Sequence, residues 1–345
     1  MATPSYPPKP SPGDRVAVIS PSAGLPELFP RPYELGLERL REEYGLEPVE
    51  YPTTRKMGTT PQERADDIHA AFADPDVKAV FSTIGGDDQI TVLPLLDREL
   101  LRANPKPFFG MSDNSNLLAF LYGVGYHGGM VMTTLGRPGA MNPVSADSLR
   151  AALFTSGPYE LRPAERFNDI ERDWAARATF DAEPESRPGT GWTWVNADRV
   201  VEGRGWGGCL EILGWLLMAD REMPRDVSVF DGGVLFLETS EELPRAEEVF
   251  RTLRNMGERG LLQRFSALLM GRAKTWSFEQ RNTPEQAARY AEEQREAVLR
   301  AMRAYAPDTT IVFDVDLGHT DPQVVIPYGG VIRVDGPARR ITVTY

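Results

Sequence analysis

The stretch Ala79-Val80-Phe81-Ser82-Thr83-Ile84 is followed at once by Gly85-Gly86-Asp87-Asp88. A short apolar run that stops at a glycine turn indicates a strand buried on both faces of a sheet. Upstream, an apolar strand at 16–20 leads into an amphipathic helical pattern at 32–44, and a capping box at 60–63 opens a second helix. Strands that alternate with helices of this length predict βαβ units, and therefore an α/β fold with a parallel sheet.

Ligands bind beyond the carboxyl ends of the strands in such sheets. The Gly85-Gly86 turn lies at one of these ends. We therefore expect Gly85, Gly86 and the neighbouring Asp87 to face a substrate.

The chain, with 345 residues, is long enough for two domains with a cleft between them. Between about 159 and 204 the regular pattern gives way to a region rich in proline, glycine and charge, which carries Trp174, Trp192 and Trp194. We interpret it as a linker with a loop that reaches the cleft; alternatively, the tryptophans pin the linker onto a domain surface. The predicted division is a first domain at 1–160, a linker and substrate loop at 161–200, and a second domain at 201–345.

Composition excludes several kinds of protein. The formal net charge is −12, and no basic stretch is present, which argues against a nucleic-acid polymer or an anionic membrane surface as partner. A single cysteine, Cys209, excludes an internal disulfide framework and a multi-cysteine metal site. No segment has the length of apolar sequence that a membrane span needs, and residues 1–12 do not resemble a signal peptide. We expect an acidic cytoplasmic protein.

A second informative stretch is Pro107-Phe108-Phe109-Gly110-Met111-Ser112-Asp113-Asn114-Ser115-Asn116, followed by a helical pattern at 117–122. It predicts a strand, a sharp turn and a helix with Ser112 at the apex, where the helix N-terminus favours developing negative charge. Ser112 is therefore a candidate nucleophile. Asn114 occupies the place of the second glycine in the usual Gly-x-Ser-x-Gly elbow. The alternative is that Ser112 or Asp113 merely caps a helix.

Two further polar residues follow predicted strands. Glu238 ends the apolar run 233–238, and His319 comes shortly after the run 311–313. In chain order, Ser112, Glu238 and His319 form the nucleophile, acid and base of a hydrolytic triad. The backbone amides of Asp113 and Gly86 are the expected oxyanion hole.

Each triad position has a rival. Only three histidines occur in the chain. His127 is the second choice as base, whereas His69 lies on a predicted helix among acidic residues and is expected to be a solvated or capping residue. Glu241 and Glu242 compete with Glu238, which is better held because it lies on the strand itself.

Two other classes of protein remain open. A metal-dependent hydrolase would use oxygen ligands and one imidazole. A non-catalytic small-ligand binding protein would use only the cleft. The candidate metal ligands are Asp314, Asp316 and His319, together with Asp113, Asp87 or Glu238.

Several aspartates fall near the predicted site. They would favour a substrate with a free amino group, or they are ordinary solvated loop charges. These aspartates are Asp87, Asp88, Asp113, Asp316 and Asp321.

Five segments, in their order and spacing, resemble the LD-carboxypeptidase family of serine peptidases. The resemblance implies an N-terminal Rossmann-like domain, a C-terminal mixed β/α domain with a small barrel-like sheet, and a homodimer. It also implies a Ser112–Glu238–His319 triad, an oxyanion hole from the Gly86 and Asp113 amides, and no metal or cofactor. The segments lie at 13–22, 84–86, 110–113, 235–238 and 318–319.

Within the family, the chain is more similar to the microcin C immunity branch than to the murein-recycling enzymes. The murein enzymes typically carry an arginine in the turn where this chain has Ile84-Gly85-Gly86. In the immunity branch, an aromatic residue of the linker loop is thought to stack on a nucleobase, and Trp192 and Trp194 are the matching candidates. Residues 167–174, 201–211 and 237–242 also resemble that branch.

The sequence therefore predicts a serine peptidase that hydrolyses an amide-type bond in a small peptide or an aminoacyl-nucleotide conjugate, as in microcin detoxification. The alternative within the family is a murein LD-carboxypeptidase, which removes a terminal D-amino acid during cell-wall recycling.

Overall fold

The computed structural model describes residues 6–123, 129–131 and 140–345. The strands in these ranges are β1 (Arg15–Ile19), β2 (Glu47–Glu50), β3 (Val77–Ser82), β4 (Phe108–Phe109), β5 (Gly129–Val131), β6 (Pro158–Leu161), β7 (Arg166–Phe167), β8 (Arg187–Pro188), β9 (Thr193–Val195), β10 (Val200–Cys209), β11 (Gly233–Glu238), β12 (Phe265–Gly271), β13 (Thr310–Val315), β14 (Ile326–Tyr328), β15 (Val331–Asp335) and β16 (Arg340–Thr344). The helices are α1 (Pro30–Glu42), α2 (Pro61–Ala73), α3 (Arg98–Ala103), α4 (Ser115–Gly123), α5 (Pro143–Phe154), α6 (Leu210–Ala219), α7 (Ala246–Glu258) and α8 (Pro284–Tyr305).

The first sheet has the order β14-β5-β4-β3-β1-β2. Strands β2, β1, β3, β4 and β5 run parallel, and β14 is antiparallel to β5. The apolar residues of β1 and β3 are buried because helices cover this sheet. The α/β fold with a parallel N-terminal sheet is therefore confirmed, and α2 begins with the predicted capping box at Thr60 and Glu63.

The second sheet is mixed and has the order β6-β16-β15-β10-β11-β12-β13-β9. Its centre, β10 to β13, is parallel, whereas the strands on either side are antiparallel. Strand β10 changes partner along its length: Val200–Arg204 pair with β15, and Gly205–Cys209 pair with β11. The predicted mixed C-terminal domain is confirmed in this sheet, whose edges are β6 and β9.

The two sheets exchange strands across the predicted domain division. Strand β14, from the C-terminal part of the chain, extends the first sheet, and β6 extends the second. Strand β9, in the predicted linker at 161–200, is also part of the second sheet. The domain bounds at 1–160 and 201–345 remain predictions, but the region between them contributes to the core sheets.

The carboxyl ends of four strands carry the predicted site. The Gly85-Gly86 turn follows β3, Ser112 follows β4, Glu238 ends β11, and His319 lies beyond β13. Parallel strands of one sheet end at the same edge, so each sheet supplies two of these positions.

No helix among the described residues is long and apolar enough to cross a membrane. The apolar helix α6 has only 10 residues.

Gly207, in β10, is expected to be essential for packing of the second sheet. Its φ is +150°, and a Cβ there would lie 1.7 Å from the Phe236 carbonyl oxygen of β11. Gly207→Ala should lower the free energy of unfolding by at least about 3 kcal/mol, measured by urea unfolding. Gly214→Ala is the matched control, because its Cβ would be 3.5 Å from Thr252 within a helix; it should be neutral or stabilise by up to about 1 kcal/mol. Equal stability of the two variants would contradict this prediction.

Candidate active site

Ser112 occupies a tight turn between β4 and α4. Its φ is +59°, in the left-handed region that L-residues other than asparagine and aspartate seldom adopt. Such a strained serine conformation is typical of a nucleophile elbow. A Cβ at Gly110 would lie 2.8 Å from the Cβ of Asn114. The first glycine of the elbow is therefore required because the Asn114 side chain fills the space beside it.

The elbow is fixed by buried polar side chains. Asn114 donates from Nδ2 to the carbonyl oxygens of Ile84 and Met111, both at 3.0 Å, and its Oδ1 accepts from Gln89 Nε2. Ser115 Oγ accepts the Cys209 amide at 3.1 Å. Asn114 thus ties the elbow to the end of β3, and Ser115 ties it to the end of β10 in the second sheet.

The side chain of Asp113 is fully buried beneath the turn. Its Oδ2 accepts from Ser22 Oγ and from the Gln89 amide, and its Oδ1 accepts from Asn116 Nδ2 at 2.7 Å. Burial raises the pKa of this carboxyl above its ordinary value, although the hydrogen bonds oppose that shift. The Asp113 carboxylate therefore joins Ser22, Gln89 and Asn116 and is shielded from solvent.

The glycine turn after β3 approaches Ser112 closely. A Cβ at Gly85 would lie 3.1 Å from Ser112 Oγ and 3.2 Å from the amide nitrogen of Asp113. At Gly86, a Cβ would lie 2.2 Å from Ser22 Oγ. Only glycine fits at either position, so the structure brings Gly85, Gly86, Ser112 and Asp113 together.

Glu238 binds one nitrogen of His319. Its Oε2 lies 2.6 Å from His319 Nδ1, and the residue is 1% exposed at the end of β11. Gly318 permits this approach, because a Cβ there would lie 2.6 Å from Glu238 Oε2. Glu238 Oε1 is buried without a hydrogen-bond partner in the described chain, so the imidazole proton is an important stabiliser of this carboxylate.

Glu241 binds the other nitrogen of His319. Its Oε2 lies 3.0 Å from His319 Nε2. Burial lowers the pKa of His319, but the two carboxylates outweigh it and raise the pKa to about 10. Burial similarly raises the pKa of Glu241, while the imidazolium lowers it to about 2. The sequence predicts Glu241 as a rival of Glu238, whereas the structure places both carboxylates beside one ring.

His69 lies apart from the Glu238–His319 pair. His69 Nε2 accepts the Asp97 amide at 2.8 Å, next to the N-terminus of α3. His127, the second choice as base, lies outside the described residues.

A cavity of about 500 Å³ joins these residues. Ser112, His319, Gly85, Gly86 and Asp87 line one part of it. An apolar wall comes from α1 and the segment before it. The apolar wall residues are Leu25, Pro26, Phe29, Pro32, Tyr33 and Leu37.

The linker supplies Trp174 to the cavity, not the two tryptophans favoured by the sequence. Trp174 is half-buried and meets Phe29 edge to face at 5.8 Å. Trp192 donates from Nε1 to Asp316 Oδ2 at 2.9 Å, and Trp194 lies in β9 under the Arg339 guanidinium. Neither Trp192 nor Trp194 lines the cavity, and both pack against the core. The alternative that tryptophans pin the linker therefore fits these two.

The candidate metal ligands Asp314, Asp316 and His319 each pair with a different side chain. Asp314 pairs with Arg295, Asp316 pairs with Arg272, and His319 is held by Glu238. In the parts of the chain that the structure describes, no group of three or more His, Cys, Asp or Glu side chains has an arrangement that could hold a metal ion.

Not all of the aspartates predicted near the site line the cavity. Asp87 and Asp321 line the cavity, whereas Asp88 forms a two-point pair with the buried Arg64 at 2.6 and 2.9 Å. Lys274, which the sequence did not single out, pairs with Glu171 at 3.2 Å in the cavity wall. Lys274 belongs to no motif and no periodic pattern marks its position, whereas Glu171 lies within the segment 167–174 that resembles the immunity branch.

The chain matches two models of one family. Residues 16–128 match the N-terminal domain of the LD-carboxypeptidases, and residues 202–334 match their C-terminal domain. A Streptomyces coelicolor protein named as a putative carboxypeptidase is 30% identical over 96% of this chain and 94% of its own length. The chain belongs to the LD-carboxypeptidase family. It is thus a serine carboxypeptidase-type hydrolase.

Relatives from both branches are similar to the chain. The microcin C7 self-immunity protein MccF of Escherichia coli is 24% identical over 96% of this chain and 93% of its own length. The murein tetrapeptide carboxypeptidase of Pseudomonas aeruginosa is 33% identical, over 38% of this chain and 43% of its own length.

Solved structures share the fold. An MccF-like protein from Streptococcus pneumoniae in complex with AMP has a TM-score of 0.84 at 24% identity, covering 96% of this chain and 99% of its own. MccF in complex with aspartyl sulfamoyl adenosine has a TM-score of 0.83 at 23% identity, covering 99% of both chains. The predicted LD-carboxypeptidase fold, with its likeness to MccF, is confirmed.

The charge on His319 should make stability depend on pH. Its pKa rises from 6.5 to about 10 on folding, so its contribution to the free energy of unfolding is fully present below about pH 6.5. That contribution is lost as the pH rises through 10. Urea unfolding of wild type and His319→Asn should therefore give a stability difference that shrinks between pH 7 and pH 10. A difference that stays constant over this range would show that His319 is not a buried imidazolium.

Proposed function

We propose that the chain hydrolyses an amide-type bond in an aminoacyl-nucleotide conjugate or a small peptide, in the manner of the microcin immunity branch. Ser112 is the nucleophile, His319 the base and Glu238 the carboxylate that orients it. The observation that carries this proposal is the joint placement of the strained Ser112 and the Glu238-bound His319 on one cavity.

In the proposed reaction, the neutral imidazole of His319 accepts the Ser112 hydroxyl proton while Oγ attacks the carbonyl carbon. The Gly86 and Asp113 amides stabilise the oxyanion of the tetrahedral intermediate. His319 then donates the proton to the leaving nitrogen, and water releases the acyl group from Ser112 by the same steps. Glu238 holds Nδ1 protonated, which leaves Nε2 as the nitrogen that exchanges protons.

The nucleotide part of the substrate is assigned to Trp174. The cavity has a half-buried aromatic residue, Trp174, and an apolar wall from α1, a setting in which a flat base can stack. Two similar structures hold AMP and aspartyl sulfamoyl adenosine, respectively. Trp174 therefore replaces Trp192 and Trp194 as the proposed stacking residue.

Ser112→Ala should abolish turnover. With aspartyl sulfamoyl adenosine as substrate, we expect kcat to fall at least about 1000-fold, because the nucleophile cannot be replaced, with binding nearly unchanged. Product release followed by chromatography, with an EDTA control, measures this loss. Retention of wild-type turnover by Ser112→Ala would exclude the proposed mechanism.

A murein tetrapeptide ending in D-alanine belongs in the same assay, because the murein carboxypeptidase is 33% identical over part of this chain. Cleavage of the muropeptide alone would assign the chain to cell-wall recycling with the same triad. Binding of either substrate without cleavage would favour a binding protein.

Trp174→Ala should weaken use of the nucleotide conjugate. Loss of one stacking contact is worth about 1–3 kcal/mol, so we expect kcat/KM to fall roughly 5- to 150-fold. The matched control is Trp192→Phe, which keeps the aromatic packing outside the cavity. Equal loss in the two variants would contradict the assignment of Trp174, as would full activity of Trp174→Ala.

A further inference from the structure

His319 is held in a state that cannot act as a base. Both ring nitrogens face a carboxylate, Nδ1 at 2.6 Å from Glu238 and Nε2 at 3.0 Å from Glu241. Carboxylates only accept hydrogen bonds, so both nitrogens must donate and the ring is an imidazolium. An imidazolium has no free lone pair for the Ser112 proton. The described chain accordingly contains no hydrogen bond between Ser112 and His319.

The side chains of Glu238 and Glu241 differ in how much room they have to move. Glu238 is 1% exposed on β11, whereas the Glu241 side chain is 48% exposed and reaches into the cavity from the loop that follows. That loop is anchored just before it, since the Ser240 amide and hydroxyl donate to Glu211 Oε1 at 2.9 and 2.7 Å. Glu241 can therefore change rotamer without displacing the backbone, while Glu238 cannot.

The carboxylates around the cavity outnumber the cations. Six carboxylates line it, and the cations beside them are Arg172, Lys274, the imidazolium and Arg187, which pairs with Asp169. Arg172 donates to the carbonyl oxygens of Ala182 and Ala178, and Lys274 pairs with Glu171. The excess of negative charge favours a substrate that brings its own positive charge. The carboxylates are Asp87, Asp169, Glu171, Glu241, Glu242 and Asp321.

We propose that Glu241 is a specificity-determining residue: it blocks His319 Nε2 until the ammonium group of an aminoacyl or amino-terminal substrate takes its place as the partner of the Glu241 carboxylate. The substrate ammonium replaces the imidazolium of His319 as the cation that pairs with Glu241. His319 then releases its Nε2 proton to water, and the neutral ring accepts the proton of Ser112. This inference rests on the function proposed above and adds a requirement for a free amino group near the scissile bond.

A small uncharged reagent tests the block without any substrate. Phenylmethylsulfonyl fluoride carries no ammonium group; Ser112 Oγ attacks its sulfur, the sulfur–fluorine bond breaks, fluoride leaves, and the hydroxyl proton goes to neutral His319. The labelling rate of Ser112, followed by mass spectrometry at pH 7.5, should be slow in wild type. In Glu241→Gln and Glu241→Ala it should rise at least about tenfold, because an unblocked base assists the attack.

Glu242→Gln is the matched control. Glu242 is the next residue, is exposed and lines the same cavity, but the described chain shows no contact between it and His319. Its removal changes the cavity charge equally, so its labelling rate should stay within about twofold of wild type. Equal acceleration in Glu241→Gln and Glu242→Gln would overturn the inference in favour of a general charge effect, as would an unchanged rate in Glu241→Gln.

A substrate pair tests the specificity. Wild type should hydrolyse an aminoacyl sulfamoyl adenosine with a free amino group far better than its N-acetylated form. Glu241→Gln should reduce that ratio of kcat/KM at least about tenfold, by gaining activity on the acetylated form. An unchanged ratio together with Ser112-dependent hydrolysis would overturn the role of Glu241 alone. Failure of Ser112 to react in wild type and in every variant would overturn the proposed function as well.

Discussion

The close approach of the Gly85-Gly86 turn to Ser112 is the constraint on which the site depends. A side chain at either glycine would collide with Ser112 or Ser22, so the proposed oxyanion donors and the proposed nucleophile can share one space only if both positions lack Cβ. The buried side chains of Asp113 and Asn114 hold the two turns at this distance. A polar network with this degree of burial fixes one geometry because each unsatisfied member would be costly.

The second sheet repeats this solution around His319. Gly318 lies against Glu238 much as Gly85 lies against Ser112, and the proposed catalytic groups again lie at the ends of parallel strands. Ser115 connects the halves by accepting the Cys209 amide at the end of β10. Because β6 and β14 also cross between the sheets, Ser112 and His319 are carried by one interlocked core.

The sequence predicts the elements and the triad positions, because both depend on local patterns. Apolar runs that stop at glycine or at a carboxylate mark strand ends, and the sequence predicts Ser112, Glu238 and His319 at or near such ends. The pairing of Glu241 with Nε2 could not be predicted, since Glu241 follows Glu238 by three residues and only the path of the loop decides which nitrogen each meets. Which linker tryptophan lines the cavity could not be predicted for a related reason: irregular loops have no period from which a side-chain direction can be inferred.

The linker at 161–200 is hydrogen-bonded to the loop that carries His319. Asn168 and Asp321 exchange backbone hydrogen bonds at 2.7 and 2.8 Å, two residues beyond His319. Asp316 accepts from Trp192 and from the Ala164 amide, which fixes the linker on the other side of the same loop. Trp174 and His319 are thus mounted on segments that share backbone hydrogen bonds. The proposed stacking residue and the proposed base are therefore positioned relative to one another through backbone contacts and not through side chains alone.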